Sequence, residues 1–475
     1  MAINSITQTH LYEFNWSRLA AMLKSFRELS GRTQKEVQEK LLDILKSNGS
    51  PEWYEFRHIV DSEYGGSLAK LEAGGRFQDI IQLPDFGPLA EAYGIHRPLF
   101  DSLLAEPVDD IFLHHRCGDD FKEVDHSSQP SNSSEATYKI PVVKLRGTDD
   151  IDIVHLVLKE GGSSTRHIHP GDEILYVLND GAVEVRLEDT GLQAKLEKDD
   201  FIHFDAEQNH SIHSCSQQDV ELLVIRFFQF HSGQRWKLSK KLSKSRSSQK
   251  VITRVIKEMR ASSWKGLDQK GFDEPKQILD RFGLGRFLQL LTSPNFVGGR
   301  YGLSLNALAE RANIAGYKEY ERSDFARLHN GEARVRHEEL PDLAAIYGVK
   351  PMLLYNFLFP VFPYAIAIHG QADMRKVELD LPNGVTYMVP CRCLAFSGIT
   401  MALVILEQNA ATPENHHPAY EFLQPLDGQV EVDFDRTVRG PISKGEYCIF
   451  DSSKTHSVRN SGHVQAKVLA IRFLQ

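Results

Sequence analysis

Residues 161–181 read GGSSTRHIHPGDEILYVLNDG, and the fold is decided by how this stretch is read. His167 and His169 alternate, so in an extended chain both side chains face the same side. Glu173 follows four residues later, after a Pro170-Gly171-Asp172 turn that lets the chain double back toward both histidines. A fourth group comes from DDFIHFDAEQNHSIH, residues 199–213, where a turn precedes a new strand carrying His210. Three imidazoles and one carboxylate can hold a borderline divalent ion while leaving coordination positions open. His167, His169, Glu173 and His210 are therefore the candidate metal ligands. Arg166 alternates away from His167 and is expected to face solvent. His155 and His213 read as packed or surface histidines, and His203 has no assignment.

The pattern returns in residues 411–428, ATPENHHPAYEFLQPLDG. Aligned on the glutamate, Asn415 stands where His167 stood, His417 takes the second histidine's place and Glu421 is the carboxylate. DSSKTHSVRN supplies His456. These four are a possible second metal site, weakened because an amide is a poorer ligand than an imidazole. His416 is expected to point away. Around both sets lie short runs rich in β-branched and aromatic residues, separated by Gly, Asp and Asn turns, the spacing of a barrel or jelly roll. ELLVIRFFQF and KVLAIRFLQ end the two regions alike. The first set resembles the cupin superfamily, whose first motif runs from a Gly through HxH and a Glu to a later Gly. Gly161, His167, His169, Glu173 and Gly181 match it, with one extra residue before Gly181, and His210 matches the second motif's histidine. The resemblance implies a metal-binding double-stranded β-helix and leaves the reaction open.

Each β-rich region follows a helical one. FNWSRLAAMLKSFRELSG places Leu19, Met22, Leu23 and Phe26 on one side of a helix ending near Gly31. Thr33 and Glu36 have the spacing of a capping box for the next helix. In the second unit LSLNALAERANI and SDFARLHNGEARVR stand where the second and recognition helices of a helix-turn-helix belong. AEAYGIHRPLF pairs with AAIYGVKPMLL, with Gly94 and Gly348 near the turn. The helices resemble phage-repressor domains, with an insertion over 48–64. The expected fold class is α+β, a tandem repeat of a helix-turn-helix-like unit and a cupin (double-stranded β-helix, jelly-roll) barrel. The expected domains are a helical unit over 1–110, a first barrel over 137–232, a basic connector over 233–275, a second helical unit over 276–360 and a second barrel over 361–475. Residues 126–136 read as a mobile linker. Residues 231–250 carry seven Lys or Arg and no acid, a solvated connector.

The chain has 475 residues and a net charge of -9, so it has no general attraction to a polyanion. Cys117, Cys215, Cys391, Cys393 and Cys448 are scattered and odd in number, unlike a disulfide framework. Cys391 and Cys393 read as buried thiols on one strand face. No signal peptide or membrane span is legible, so a cytoplasmic protein without a membrane partner is expected.

The order helical unit, barrel, helical unit, barrel also resembles the phosphonate-processing non-haem iron oxygenases. That resemblance implies Fe(II) held by His169, Glu173 and His210, with His167 as a further ligand, and a lysine or tyrosine lent by a helical unit. Lys24, Lys35 and Tyr93 are candidates for that role. The functional expectation is a metal-dependent oxygenase that uses O2 on a small polar or anionic substrate, an organophosphonate being one option. Other divalent transition metals fit the same ligands. A non-oxidative cupin isomerase or lyase is an alternative, and so is a repressor-type (XRE-type) transcriptional regulator with cupin sensor domains. Charge weighs against DNA as a partner: residues 1–107 hold 11 basic and 15 acidic residues, and SLAKLEAGG offers only Lys70 for phosphate contacts. Residues 276–350 hold 11 basic and 9 acidic residues, with Arg322, Arg327, Arg334 and Arg336 near the candidate recognition helix, so that copy leaves DNA open. A homodimer is the expected assembly.

Overall fold

A computed structural model describes residues 16–29, 31–47, 68, 72, 87–95, 99–101, 105–108, 110, 112–116, 120–126, 135–145, 148, 150–188, 192–228, 281–292, 303–317, 320–330, 333, 335, 339–349, 354, 361–362, 366–369, 374–376, 381–390, 393–394, 399–417 and 420–473. The 48–64 insertion, most of the 126–136 linker and the whole 231–250 stretch lie outside the described residues, as do Lys70, Cys117, Arg334, Arg336 and Cys391.

The helices follow the signals in the sequence. In the first unit α1 (Trp16–Leu29), α2 (Gln34–Ser47) and α3 (Gly87–Tyr93) are described. The Glu36 amide donates to Thr33 Oγ1 at 3.2 Å, and the Thr33 amide donates to Glu36 Oε2 at 2.6 Å. That reciprocal pair is the capping box expected there. Leu23 and Phe26 pack with Val37, Leu41 and Tyr93 in a common core. The Arg27 guanidinium donates to Glu72 at 2.7 and 3.0 Å, and the Tyr93 hydroxyl donates to the same carboxylate at 3.2 Å. The second unit has α4 (Arg281–Thr292), α5 (Leu305–Ile314), α6 (Arg322–His329) and α7 (Leu340–Tyr347). Ser304 caps α5 through the Ala307 amide. Gly94 and Gly348 end α3 and α7 at φ +74° and +73°, a left-handed turn that glycine enters without steric cost.

Strands β1 (Glu106–Val108), β2 (Phe112–His115), β3 (Phe121–His126), β4 (Ala136–Pro141), β5 (Val143–Leu145), β6 (Ile151–Leu158), β7 (Asp172–Val177), β8 (Ala182–Leu187), β9 (Leu192–Glu197), β10 (Phe201–Asp205), β11 (His210–Ser214) and β12 (Val220–Phe227) come first. After the second helical unit come β13 (Val361–Phe362), β14 (Ile366–His369), β15 (Met374–Lys376), β16 (Val385–Pro390), β17 (Cys393–Leu394), β18 (Ile399–Leu406), β19 (Tyr420–Asp427), β20 (Gln429–Phe434), β21 (Thr437–Ser443), β22 (Tyr447–Asp451), β23 (His456–Asn460) and β24 (Ala466–Phe473). The first barrel sets β7-β12-β6-β4-β3 beside a second sheet, β11-β8-β9. The second repeats the arrangement with β19-β24-β18-β16-β15 and β23-β20-β21. Along β8 buried and half-buried residues alternate, whereas every residue of β7 is buried, as expected of a strand covered on both faces. Gly181 is glycine for lack of room: a Cβ there would lie 2.6 Å from Val220 Cγ2.

Each compact unit is discontinuous in sequence. The first comprises Met1–Asp110, Asp120–Lys198 and Asp205–Phe230, and the second Ile111–Asp119, Asp199–Phe204 and His231–Gln475. Contiguous barrels were expected, and the structure differs by two exchanged strands. β2 precedes the first barrel in sequence but pairs antiparallel with β22 of the second unit. Its Phe112 ring stacks on Phe450 at 5.5 Å and meets Phe434 at 5.2 Å. β10 pairs antiparallel with β14. Strand pairing joins whichever edges meet in space, and hydrophobic patterning marks a strand without naming its partner.

Candidate metal centres

The loop before β7 and the start of β11 are stitched together by backbone. The His167 amide donates to the His210 carbonyl at 3.0 Å, and the His210 amide returns the bond at 2.9 Å. The His169 amide donates to the Ala206 carbonyl at 3.0 Å. These bonds fix the side chains: His167, His169, Glu173 and His210 each offer one ligand atom, all within 4.8 Å of one another and all buried. The four residues that the sequence placed together are together. Arg166 is exposed, as its alternation implied, and His416 lies outside the second cluster. His213 sits at the barrel surface with its Nε2 3.0 Å from Ser211 Oγ, and His155 lies edge-on to Phe121. Tyr93 is buried in the helical core, with its hydroxyl on Glu72. Lys35 is exposed and pairs with Glu39 at 3.7 Å.

Outer contacts set the tautomers. His167 Nδ1 lies 2.8 Å from the Thr165 carbonyl, and His210 Nδ1 lies 2.8 Å from the Gln208 carbonyl. A carbonyl can only accept, so both rings carry hydrogen on Nδ1 and aim a lone pair inward from Nε2. Yet the two Nε2 atoms are only 3.1 Å apart. His169 Nε2 is 2.7 Å and His210 Nε2 3.8 Å from Glu173 Oε2. Glu173 Oε1 is buried with no hydrogen-bond partner. Facing lone pairs and an orphaned carboxylate oxygen are costly in a buried site. A cation among them removes that cost, so these residues fit a divalent metal.

The second barrel repeats the frame. Asn415 and His456 exchange backbone bonds at 2.8 Å, the bridge His167 and His210 make. His456 Nδ1 donates to the Lys454 carbonyl at 2.8 Å, and His417 Nδ1 donates to Ser452 Oγ at 3.1 Å, whose hydroxyl donates to the His417 carbonyl. Both Nε2 lone pairs then converge on Glu421 Oε2, at 2.9 Å and 3.1 Å. His417, Glu421 and His456 form the buried cluster. Asn415 holds the position of His167 and is only half-buried.

Reading the sequence for ligands missed a buried arginine behind each carboxylate. On β12, Arg226 lies between Glu173 of β7 and Asp152 of β6. Its Nε donates to Glu173 Oε2 at 2.9 Å, and its terminal nitrogen donates to Asp152 Oδ2 at 2.7 Å. Arg472 of β24 is opposite Glu421, with Nε 3.6 Å from Oε1. The shared IRF of the two closing strands was the available signal. Phe228, just after β12, belongs to the helical core and also sets its ring 5.8 Å from His169.

Burial holds the His210 and His417 imidazoles down to about 4, against the pull of their glutamates. Burial also works to raise Glu173 and Glu421, but the arginines and histidines beside them hold both below the usual carboxylate range. An unfolded histidine takes a proton near 6.5 and these two only near 4. Metal-free protein therefore has its full stability above that upper value and loses it as pH falls between the two. The slope is about 1.4 kcal/mol per pH unit for each histidine. Urea midpoints of chelator-treated protein are expected to be level above neutrality and to drop steadily below it; a midpoint indifferent to pH contradicts this.

Residues 154–226 and 402–472 each match the cupin domain family model. Each barrel thus carries one cupin domain match, and its fold is the double-stranded β-helix expected of that domain. HEPD of Streptomyces albus, solved with 2-hydroxyethylphosphonate and Fe(II) bound, is 12% identical with a TM-score of 0.40, over 96% of this chain and 92% of that one. Oxalate decarboxylase OxdC of Bacillus subtilis, as a deletion mutant, is 14% identical with a TM-score of 0.39, over 78% of each chain. AerE of Microcystis aeruginosa is 9% identical with a TM-score of 0.38, over 75% of this chain and all of its own. No residue role is carried over from likenesses at this level. Comparison with curated protein sequences finds no match. Among the described residues no helix is long and apolar enough to cross a membrane.

Proposed function

We propose that the first barrel is the reactive centre of a metal-dependent enzyme, a non-haem Fe(II) oxygenase that uses O2 on a small polar or anionic substrate. The observation that carries this reading is the convergence of inward lone pairs from His167 and His210 with the Glu173 carboxylate in a fully buried site. His169, Glu173 and His210 are two imidazoles and one carboxylate, the ligand types of non-haem iron oxygenases, with His167 as a further donor. When bound, such a metal supplies a Lewis-acidic template with positions open to substrate and dioxygen. The chain's own part is to hold the ligands. Backbone carbonyls fix the His167 and His210 rings, Arg226 fixes Glu173, and the ring of Phe228 covers the His169 side. An organophosphonate is one substrate of the required class. The second barrel, with Asn415 for a histidine, holds metal more weakly.

The test is elemental analysis of protein purified without a chelating tag, followed by O2 uptake with candidate anions. Metal at about one equivalent or more per chain and substrate-dependent O2 uptake are expected. Turnover of a substrate without O2 consumption replaces the oxygenase with a non-oxidative isomerase or lyase. Tight, salt-sensitive DNA binding without turnover replaces the enzyme with a regulator, and the exposed Arg322 and Arg327 on α6 are then the first residues to substitute.

A further inference from the structure

We propose that Asp152 and Arg226 are positioning residues of the first centre: they fix Glu173 and leave the site one net negative charge, so the first barrel takes up a divalent cation ahead of the second, where Thr400 stands in place of Asp152. This rests on the metal-centre reading above.

The strand order dictates the arrangement. β12 is flanked by β7 and β6, and Arg226 is the register partner of both Glu173 and Asp152. Directly opposed residues of neighbouring strands share a face, so one guanidinium is set between two carboxylates. All three are shielded from water, with Arg226 at 1% exposure, Asp152 at 3% and Glu173 at 0%. Two acids around one base leave this trio with one net negative charge, which favours an added cation. In the second barrel β24 runs between β19 and β18, and Arg472 is opposite Glu421 and Thr400. A hydroxyl carries no charge, so that pair is neutral before any cation arrives. It is also looser: Nε to carboxylate is 3.6 Å, against 2.9 Å in the first barrel. An arginine with a single carboxylate draws electron density from the ligand oxygen and repels a dication. Asp152 takes up half of that guanidinium and returns Glu173 to the metal. Partners one bond removed from metal ligands commonly control affinity in this way.

Co(II) is the probe, because its absorption bands report ligand strength and geometry. In full-length protein carrying His417→Ala, so that only the first barrel is read, Asp152→Asn keeps an acceptor for Arg226 and removes the charge. Co(II) affinity is expected to fall by about 10- to 100-fold with shifted bands, a readout that loss of packing alone does not move. In full-length protein carrying His169→Ala, Thr400→Asp is expected to strengthen Co(II) binding in the second barrel, which keeps the inference testable even where Asp152→Asn folds poorly. Wild-type affinity and bands in Asp152→Asn, or no gain in Thr400→Asp, overturn it. Parent protein that takes up no Co(II) removes the metal-centre reading and this inference together, whereas uptake unchanged by Asp152→Asn removes this inference alone.

Discussion

Replacing Arg226 with methionine is expected to cost about 3–5 kcal/mol of stability, the loss typical when one member of a buried ion pair is removed. Methionine fills much of the arginine's volume, so cavity formation contributes little. What goes is the donor at 2.9 Å from Glu173 and the donor at 2.7 Å from Asp152. Both carboxylates then stay buried without the guanidinium that was set between them, and holding their charge there becomes costly. Glu173 feels this most, because its other oxygen already lacks a partner. Urea denaturation of metal-free protein measures the loss. Two controls separate charge from packing. Arg226→Met combined with Asp152→Asn and Glu173→Gln is expected to recover most of the stability, because a neutral cluster needs no compensation. Arg472→Met is expected to cost less than Arg226→Met, since Arg472 faces one carboxylate at a longer distance. Equal losses in the two barrels, or no loss in Arg226→Met, contradict the reading of Arg226 as a charge clamp.

The candidate ligands were legible because their geometry is local. His167, His169 and Glu173 lie within seven residues of one another, and alternation plus one turn settles where they point. His210 was legible because a turn followed by a strand delivers it, and its bond to the His167 backbone confirms the pairing. Asn415 was placed through the glutamate alignment, and it makes with His456 the backbone bridge that His167 makes with His210. Helix starts at Thr33 and stops at Gly94 and Gly348 were legible because caps and left-handed turns are written in single residues. Arg226 and Asp152 were not legible: they stand 74 residues apart, and only the strand order puts them side by side. The exchange of β2 was hidden for the same reason. FLHH is too short to carry a pattern of its own, and nothing in those four residues says that its partner is β22. Periodicity speaks of faces, and partners come from topology.

Substituting His169 with alanine is expected to lower the first barrel's metal affinity by more than about 100-fold, since altering only an outer partner of a ligand already costs 10- to 100-fold. His169 is fully buried, and its Nε2 sits 2.7 Å from Glu173 Oε2. Its Nε2 can donate a hydrogen to the carboxylate in the metal-free protein or offer a lone pair to a cation, not both at once. His167→Asn is expected to be milder, because the second barrel shows the same frame closing around two histidines and a glutamate with an asparagine in that place. Asn415→His, the reverse change, is expected to strengthen the second barrel. A metal titration of the three variants, each in full-length protein, reads the order directly. If His167→Asn proves as damaging as His169→Ala, the first centre needs all four ligands, and the second barrel must then be a structural copy. If Asn415→His gives no gain, the weakness of the second barrel comes from the neutral Glu421–Arg472 pair and not from the missing imidazole. The stability ranking should run the other way. His169→Ala leaves Glu173 still paired with Arg226, so metal-free protein should lose less stability than in Arg226→Met, while its metal uptake collapses. That opposition separates a residue kept to hold a cation from one kept to hold the fold.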